Sequence, residues 1–170
     1  MPSDTVQCAD GEQLRETSID AETIRAHAFG VPPTPPEIIE WVKEVEGRAR
    51  EFEQLRIRTE HVLHAGMYAR TVHLPPMAMF TNVLIKIPTI MVVLGYCYIL
   101  AGDKWTRLNG FSVIPASANR KQIVITKEPT AVTMLFPTNA TTIEEAEMEF
   151  TDETGDLLSR KQPEAQLCLA

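Results

Sequence analysis

Met67-Tyr-Ala-Arg-Thr-Val-His-Leu74 decides the fold, because its side chains alternate with a period of two and not 3.6, as in a strand with one face inward. Tyr68 and Arg70 share one face of that strand. Downstream, Pro, Gly and Asn recur about every ten residues, the rhythm of an antiparallel sandwich or barrel. The pattern predicts strands over 68–74, 79–87, 90–100, 105–108, 112–114, 122–126 and 131–136. The turns fall at Pro75-Pro76, Ala101-Gly-Asp-Lys104, Asn109-Gly110 and Glu128-Pro129. Asn109-Gly110 is the sharpest turn signal among them.

Upstream the period changes. Thr34-Pro-Pro-Glu37 reads as a capping box with Pro at the first helical position, opening a helix from Pro35 to about Arg56. Its apolar positions Ile38, Val42, Val45, Ala49 and Phe52 form a narrow stripe, widened by Trp41 and Leu55. Glu44 with Arg48 and Glu46 with Arg50 are i,i+4 pairs expected on the solvated face. Either the stripe makes subunit contacts, with Ile38, Val42, Val45 and Phe52 as the interface, or it packs on the chain's own barrel. Val31-Pro-Pro-Thr-Pro-Pro36 is a stiff spacer expected to hold an N-terminal arm, with a short helix at Ser18–Phe29, away from the core. Thr142-Ile-Glu-Glu145 is a second capping box, opening a short acidic helix to Phe150 whose Glu144, Glu145, Glu147 and Glu149 read as solvated. Residues 151–170 read as a polar, poorly ordered tail. The expected organisation is an arm and spacer (1–33), an amphipathic helix (34–57), a barrel with closing helix (58–150) and a flexible tail (151–170).

The chain has 170 residues, 44% of them hydrophobic, enough for one domain with a core. Its net charge of −7 argues against nucleic acid or an anionic membrane as partner, and Arg120-Lys121 is too short for a basic patch. Cys8, Cys97 and Cys168 are widely separated and suggest neither a disulfide framework nor a CxxC metal site. No secretory signal follows Met1, and the apolar run from Ile87 to Leu100 is short for a membrane helix and rich in β-branched residues.

No complete catalytic set is visible. His61, His64 and His73 are weak metal candidates, since His61 and His64 fall on opposite faces of a strand and no carboxylate follows at a matching position. Cys97 lies in the most apolar strand, where a thiol is inert core. A glycine-rich phosphate loop is absent.

His64-Ala-Gly-Met-Tyr-Ala-Arg-Thr-Val-His-Leu-Pro75, with Leu94-Gly95, Trp105 to Pro115 and Pro137-Thr-Asn-Ala-Thr-Thr-Ile-Glu144, resembles small cupin-like proteins of tailed bacteriophages, often labelled morphogenetic proteins. The resemblance spans roughly residues 60–150. It implies a mainly β, antiparallel cupin-like jelly-roll barrel preceded by an amphipathic helix, with polar N- and C-terminal arms, commonly dimeric or higher. Cupins with a metal centre carry His-x-His and Glu in a first motif and His in a second. Here Asn82-Val-Leu-Ile-Lys-Ile-Pro-Thr89 has neither residue, and Gly110-Phe-Ser-Val-Ile-Pro115 keeps only its Gly and Pro before Asn119 and Arg120.

The resulting expectation is a non-catalytic assembly-accessory subunit of a phage virion, without cofactor, partnered by copies of itself and by other phage structural proteins, and present in host cytoplasm during assembly. An alternative is a small metal- or sugar-binding cupin enzyme using the three histidines with Tyr68 and Arg70 at the barrel mouth. A further alternative is a regulatory protein directed at a host factor.

Overall fold

A computed structural model describes residues 30–162 and the backbone of 166–169. The arm and its Ser18–Phe29 helix lie outside the described residues. Helix α1 (Pro36–Ala49) precedes strands β1 (Arg58–His64), β2 (Met67–Leu74), β3 (Met79–Thr81), β4 (Thr89–Ala101), β5 (Lys104–Ala116), β6 (Ile123–Thr126) and β7 (Thr130–Pro137). Helix α2 (Ile143–Phe150), a 3-10 turn (Thr154–Asp156), helix α3 (Leu158–Lys161) and strand β8 (Gln166–Leu169) follow. The strands run in the order β3-β6-β4-β7-β2-β1-β8, with β5 paired to β4. All pairings are antiparallel except β1 with β8. This is the expected mainly β, jelly-roll type of architecture with a preceding helix.

The barrel turns its corner within β4. Residues Ile90–Leu94 pair with β7 and Cys97–Ile99 pair with β6, and Gly95 sits between them. Gly95 has φ of 135°, and a Cβ there would lie 2.6 Å from the Pro129 carbonyl oxygen, so only glycine lets the β6–β7 loop cross this close. Across the hairpin it faces Gly110, whose φ is 84°. Asn109-Gly110 is therefore not a turn: pairing with β4 continues from Lys104 to Ala116, and the two glycines bend both strands together. The strand expected over 79–87 is also shorter, because after Thr81 the chain leaves the ladder and rejoins it only through the Ile85–Arg120 bridge.

Inward positions of β2, β4, β5 and β7 build the main core, including Val72, Leu74, Met91, Val93, Cys97, Leu108 and Ile114. A second cluster stacks Tyr68, Phe136 and Phe150 under Leu157. Helix α1 docks on a third, where Val42 is fully buried against Leu100 and Ile123 with Ile38 and Val45 beside it. Its apolar stripe is thus spent on its own barrel, burial that stabilises by about 1.5–3 kcal/mol for a fully enclosed Val.

Several other expectations about the flanks are corrected. The Thr34 box does not form: α1 is capped by Pro35 without a side-chain bond. Thr34 Oγ1 instead donates to the Lys121 carbonyl and accepts from the Lys121 amide, both at 3.0 Å, because that buried backbone has no better partner. The spacer joins the barrel at the same place, with Val31 bridged to Ala116. The i,i+4 pairs of α1 yield to tertiary ones, Glu46 with Lys121 at 3.2 Å and Arg50 with Asp156 at 3.4 Å. The segment after Phe150 is no loose tail. Thr151, Leu157 and Ser159 are buried, and residues 166–169 extend the sheet beside β1. Glu147, expected in solvent, is buried between Ser159 and Arg160, the latter at 3.0 Å.

Candidate functional site

The barrel encloses a cavity of about 640 Å³, within the usual range of small-molecule sites. Its walls are largely apolar, with Val72, Phe80, Ile85, Met91, Val132 and Met134 contributed by four strands and the 82–88 segment. Its mouth lies between the loop after α1, where Phe52 is 73% exposed, and the segment carrying Asp156 and Gln162. That rim is tied down: Gln162 accepts from the Ile57 amide and donates to the Leu55 carbonyl, each at 2.9 Å.

Polar groups in the cavity fall into two kinds. Lys121 is neutralised by Glu46 and Glu153, and Arg120 is almost fully enclosed, its guanidinium donating to the carbonyls of Ile87, Ala116 and Ser117 and to the Thr89 hydroxyl. Burial pulls the Arg120 pKa down to about 10, so it remains a cation at neutral pH. Arg70 differs. No hydrogen bond or ion pair holds it among the described residues, and its Nε and Nη2 are buried without a partner. Burial lowers its pKa as well, partly offset by Tyr68 and Glu147, yet a guanidinium does not give up its proton in a protein.

The other buried partnerless polar atoms of the cavity residues are Arg120 Nε and Gln122 Nε2. All of these atoms are hydrogen-bond donors. Unmet donors beside an unpaired cation suit a ligand that brings acceptors and negative charge.

The alternation of β1 and β2 separates the three histidines. His61 points inward and is fully buried, its Nδ1 2.7 Å from the Tyr68 hydroxyl, while its Nε2 lacks a partner. Burial, reinforced by the Arg70 charge, lowers its pKa to about 4 and keeps it neutral. His64 is exposed, and His73 lies on the outer face, 3.3 Å from Glu60. Among the described residues no three His, Cys, Asp or Glu side chains converge on a metal position. A barrel metal of the kind found in the proteins the sequence resembles does not fit the residues here: guanidinium and amide N–H groups of Arg70, Arg120 and Gln122 repel a cation where ligands would have to stand. Cys97 is enclosed in the core, and burial pushes its thiol up to about 11, so it carries no thiolate at neutral pH.

Of the two residues expected at the barrel mouth, Arg70 lines the cavity and Tyr68 does not; its ring is packed among Phe136 and Phe150. Of the four interface candidates, Ile38, Val42 and Val45 face the barrel and only Phe52 is free, at the rim. Arg120 and Gln122 escaped the sequence, where Arg120-Lys121 is set aside as too short for a basic patch. The outer face of the sheet carries another signal, since Ile90, Leu94, Phe111 and Val113 are all exposed by more than two-fifths. No described helix is long and apolar enough to cross a membrane.

No family model matches the chain, and no curated protein matches it in sequence. Among solved structures it is similar to the Cupin_2 domain of an XRE family transcriptional regulator from Enterobacter cloacae, at 13% identity and TM-score 0.40 over 49% of this chain and 99% of that one. KdgF from a Halomonas species gives 19% identity and TM-score 0.43 over 54% of this chain and 92% of its own. A cupin-2 domain containing protein from Shewanella frigidimarina gives 12% identity and TM-score 0.40 over 55% and 91%.

Proposed function

We propose that the protein is a cupin-like binding barrel that takes up a small, largely apolar organic molecule in its interior without a metal. The observation that carries this reading is the cavity beside Arg70, a volume with apolar walls and one uncommitted cation. A buried, unpaired guanidinium is costly to fold around, which is intelligible where a ligand completes it. The reading is one of binding alone, because the buried polar atoms left without partners among the cavity residues are all donors. The test is binding of a neutral apolar probe, 1-naphthamide, followed by its fluorescence and by protein NMR. Val132→Trp, which fills the cavity, abolishes binding if the reading holds; binding unchanged by that variant places the probe elsewhere and overturns it.

A second reading, a subunit that self-associates as the expected assembly role requires, draws support from the outer face of β4, β5 and β7. On the 90–94, 111–113 and 131–135 segments of these strands the outward side chains Ile90, Val92, Leu94, Phe111, Val113, Ala131, Thr133 and Leu135 include no charge, whereas Lys104 and Arg107 lie beyond the Gly95–Gly110 bend. In a chain of net charge −7, an uncharged face is where a second copy can approach without repulsion. Native mass spectrometry of the wild type and of Leu94→Glu decides it: a dimer or larger ring that the substitution dissociates supports self-association, and a wild-type monomer counts against it.

A further inference from the structure

Resting on the binding-barrel reading, we infer that the ligand carries a carboxylate and that Arg70 is the residue that anchors it. Three independent features of the interior converge on this group. First, the inward neighbours of Arg70 across the sheet are His61 on β1 and Met134 on β7, neither of them anionic, so the protein supplies no counter-ion along the ladder. The buried carboxylate Glu147 is already engaged by Arg160 and Ser159. Second, the buried partnerless side-chain atoms of the cavity residues are donors only, the carboxylates of Glu46 and Asp156 being paired with Lys121 and with Arg50 and Lys161 and that of Glu53 standing exposed, so an amine or ammonium at the buried end would add donors to donors and repel Arg70.

Third, the walls limit the anion. A phosphate monoester brings close to two charges at neutral pH and three acceptor oxygens, and asks for several cations. Here Lys121 is already held by Glu46 and Glu153, and Arg120 gives its two terminal nitrogens to the barrel's own oxygens. One free guanidinium matches one carboxylate, with two parallel N–H···O bonds in the fork geometry and the apolar remainder of the ligand against Val72, Met91, Val132 and Met134. Gln122 Nε2 is left to donate to a further ligand oxygen. The substrate class is thus a monocarboxylic acid with an apolar body.

His61 reports on the occupancy of Arg70. Its imidazole is kept neutral in part by the Arg70 charge, and an anion seated on that guanidinium cancels this contribution. The His61 pKa therefore rises when a carboxylate binds and stays put when a neutral isostere does.

The test compares 1-naphthoate, 1-naphthamide and 1-naphthyl phosphate on the wild type, Arg70→Met and Arg70→Lys, by fluorescence titration, with His61 ring shifts followed by NMR against pH. The expected result is at least tenfold tighter binding of 1-naphthoate than of the amide, with the His61 pKa raised by the acid alone. Arg70→Met removes the preference while still binding the amide, and Arg70→Lys, which keeps charge without the fork, retains part of it. Equal affinity for acid and amide, unchanged in Arg70→Met, overturns the carboxylate assignment and leaves the binding barrel standing. Tighter binding of the phosphate than of the acid overturns the assignment to a carboxylate in favour of a phosphate site. Binding of none of the three overturns both the assignment and the barrel reading on which it rests. Arg70 makes no hydrogen bond or ion pair among the described residues that its replacement would break, so both variants are expected to remain folded, which their melting curves verify.

Discussion

Arg70 and Arg120 line the same cavity, and neither meets a carboxylate, yet they do opposite things. Arg120 sits where the β5–β6 connection passes the 85–89 segment, and its guanidinium gathers three backbone carbonyls and a threonine hydroxyl. It acts as a rivet in an irregular part of the wall. Arg70 stands in the middle of a regular ladder whose carbonyls are already paired, so nothing in the protein is left for it to bind. Burial alone therefore does not distinguish a structural arginine from a binding one; the partners already present do.

The sharpest way to break this contrast is to remove each cation in turn. Arg120→Met strands several buried oxygens and is expected to cost about 3 kcal/mol or more in urea denaturation. A loss below about 1 kcal/mol would make it as dispensable as Arg70. Arg70→Met, which replaces an unpaired buried charge by an apolar chain of similar length, should raise stability by about 1–2 kcal/mol in the absence of ligand. A pronounced loss there would mean that Arg70 is structural after all. Thr89→Val, which deletes one of the acceptors of Arg120, should cost about 1 kcal/mol and leave naphthoate binding unchanged.

The smallest effect is one of pH. His61 is held below its ordinary pKa of 6.5, at about 4, by burial first and Arg70 second, with Arg160 adding to and Glu144 opposing the shift. The unfolded chain therefore binds its proton first, so this contribution to stability is complete above pH 6.5 and is lost as the pH falls towards 4. In Arg70→Met the loss should be shallower, because the folded His61 then titrates closer to its ordinary value. Melting temperatures across that window, for wild type and variant, measure the difference.

What the sequence could convey follows the same division between local and distant partners. Thr142 and Thr34 carry the same capping-box signature. At Thr142 both reciprocal bonds form, with Glu145 accepting from the Thr142 amide, because no distant group competes. Thr34 is captured by Lys121, 87 residues away, a partner that no local pattern announces. Likewise the alternation of 67–74 puts Arg70 on the same face as Tyr68, but only the absence of a partner there, a property of the folded barrel, marks it as a site. The burial of Glu147, read as solvated, and of Arg120, for which the sequence gives no placement, has one reason: a charged side chain enters the interior when tertiary partners wait for it. Asn109-Gly110 misled because the same φ > 0 that closes a hairpin also bends a long strand, and the opposing Gly95 decides between them.

The parallel pairing of β1 with β8 sets a timetable. During synthesis β1 emerges about 100 residues before 166–169 can reach it, which at roughly 5–20 residues per second is a wait on the order of 5–20 s. Through that interval one edge of β1 is an open template for another chain, and it closes only when the last strand arrives. Yield of soluble protein should therefore depend on residues 166–169 far more than four paired residues would suggest.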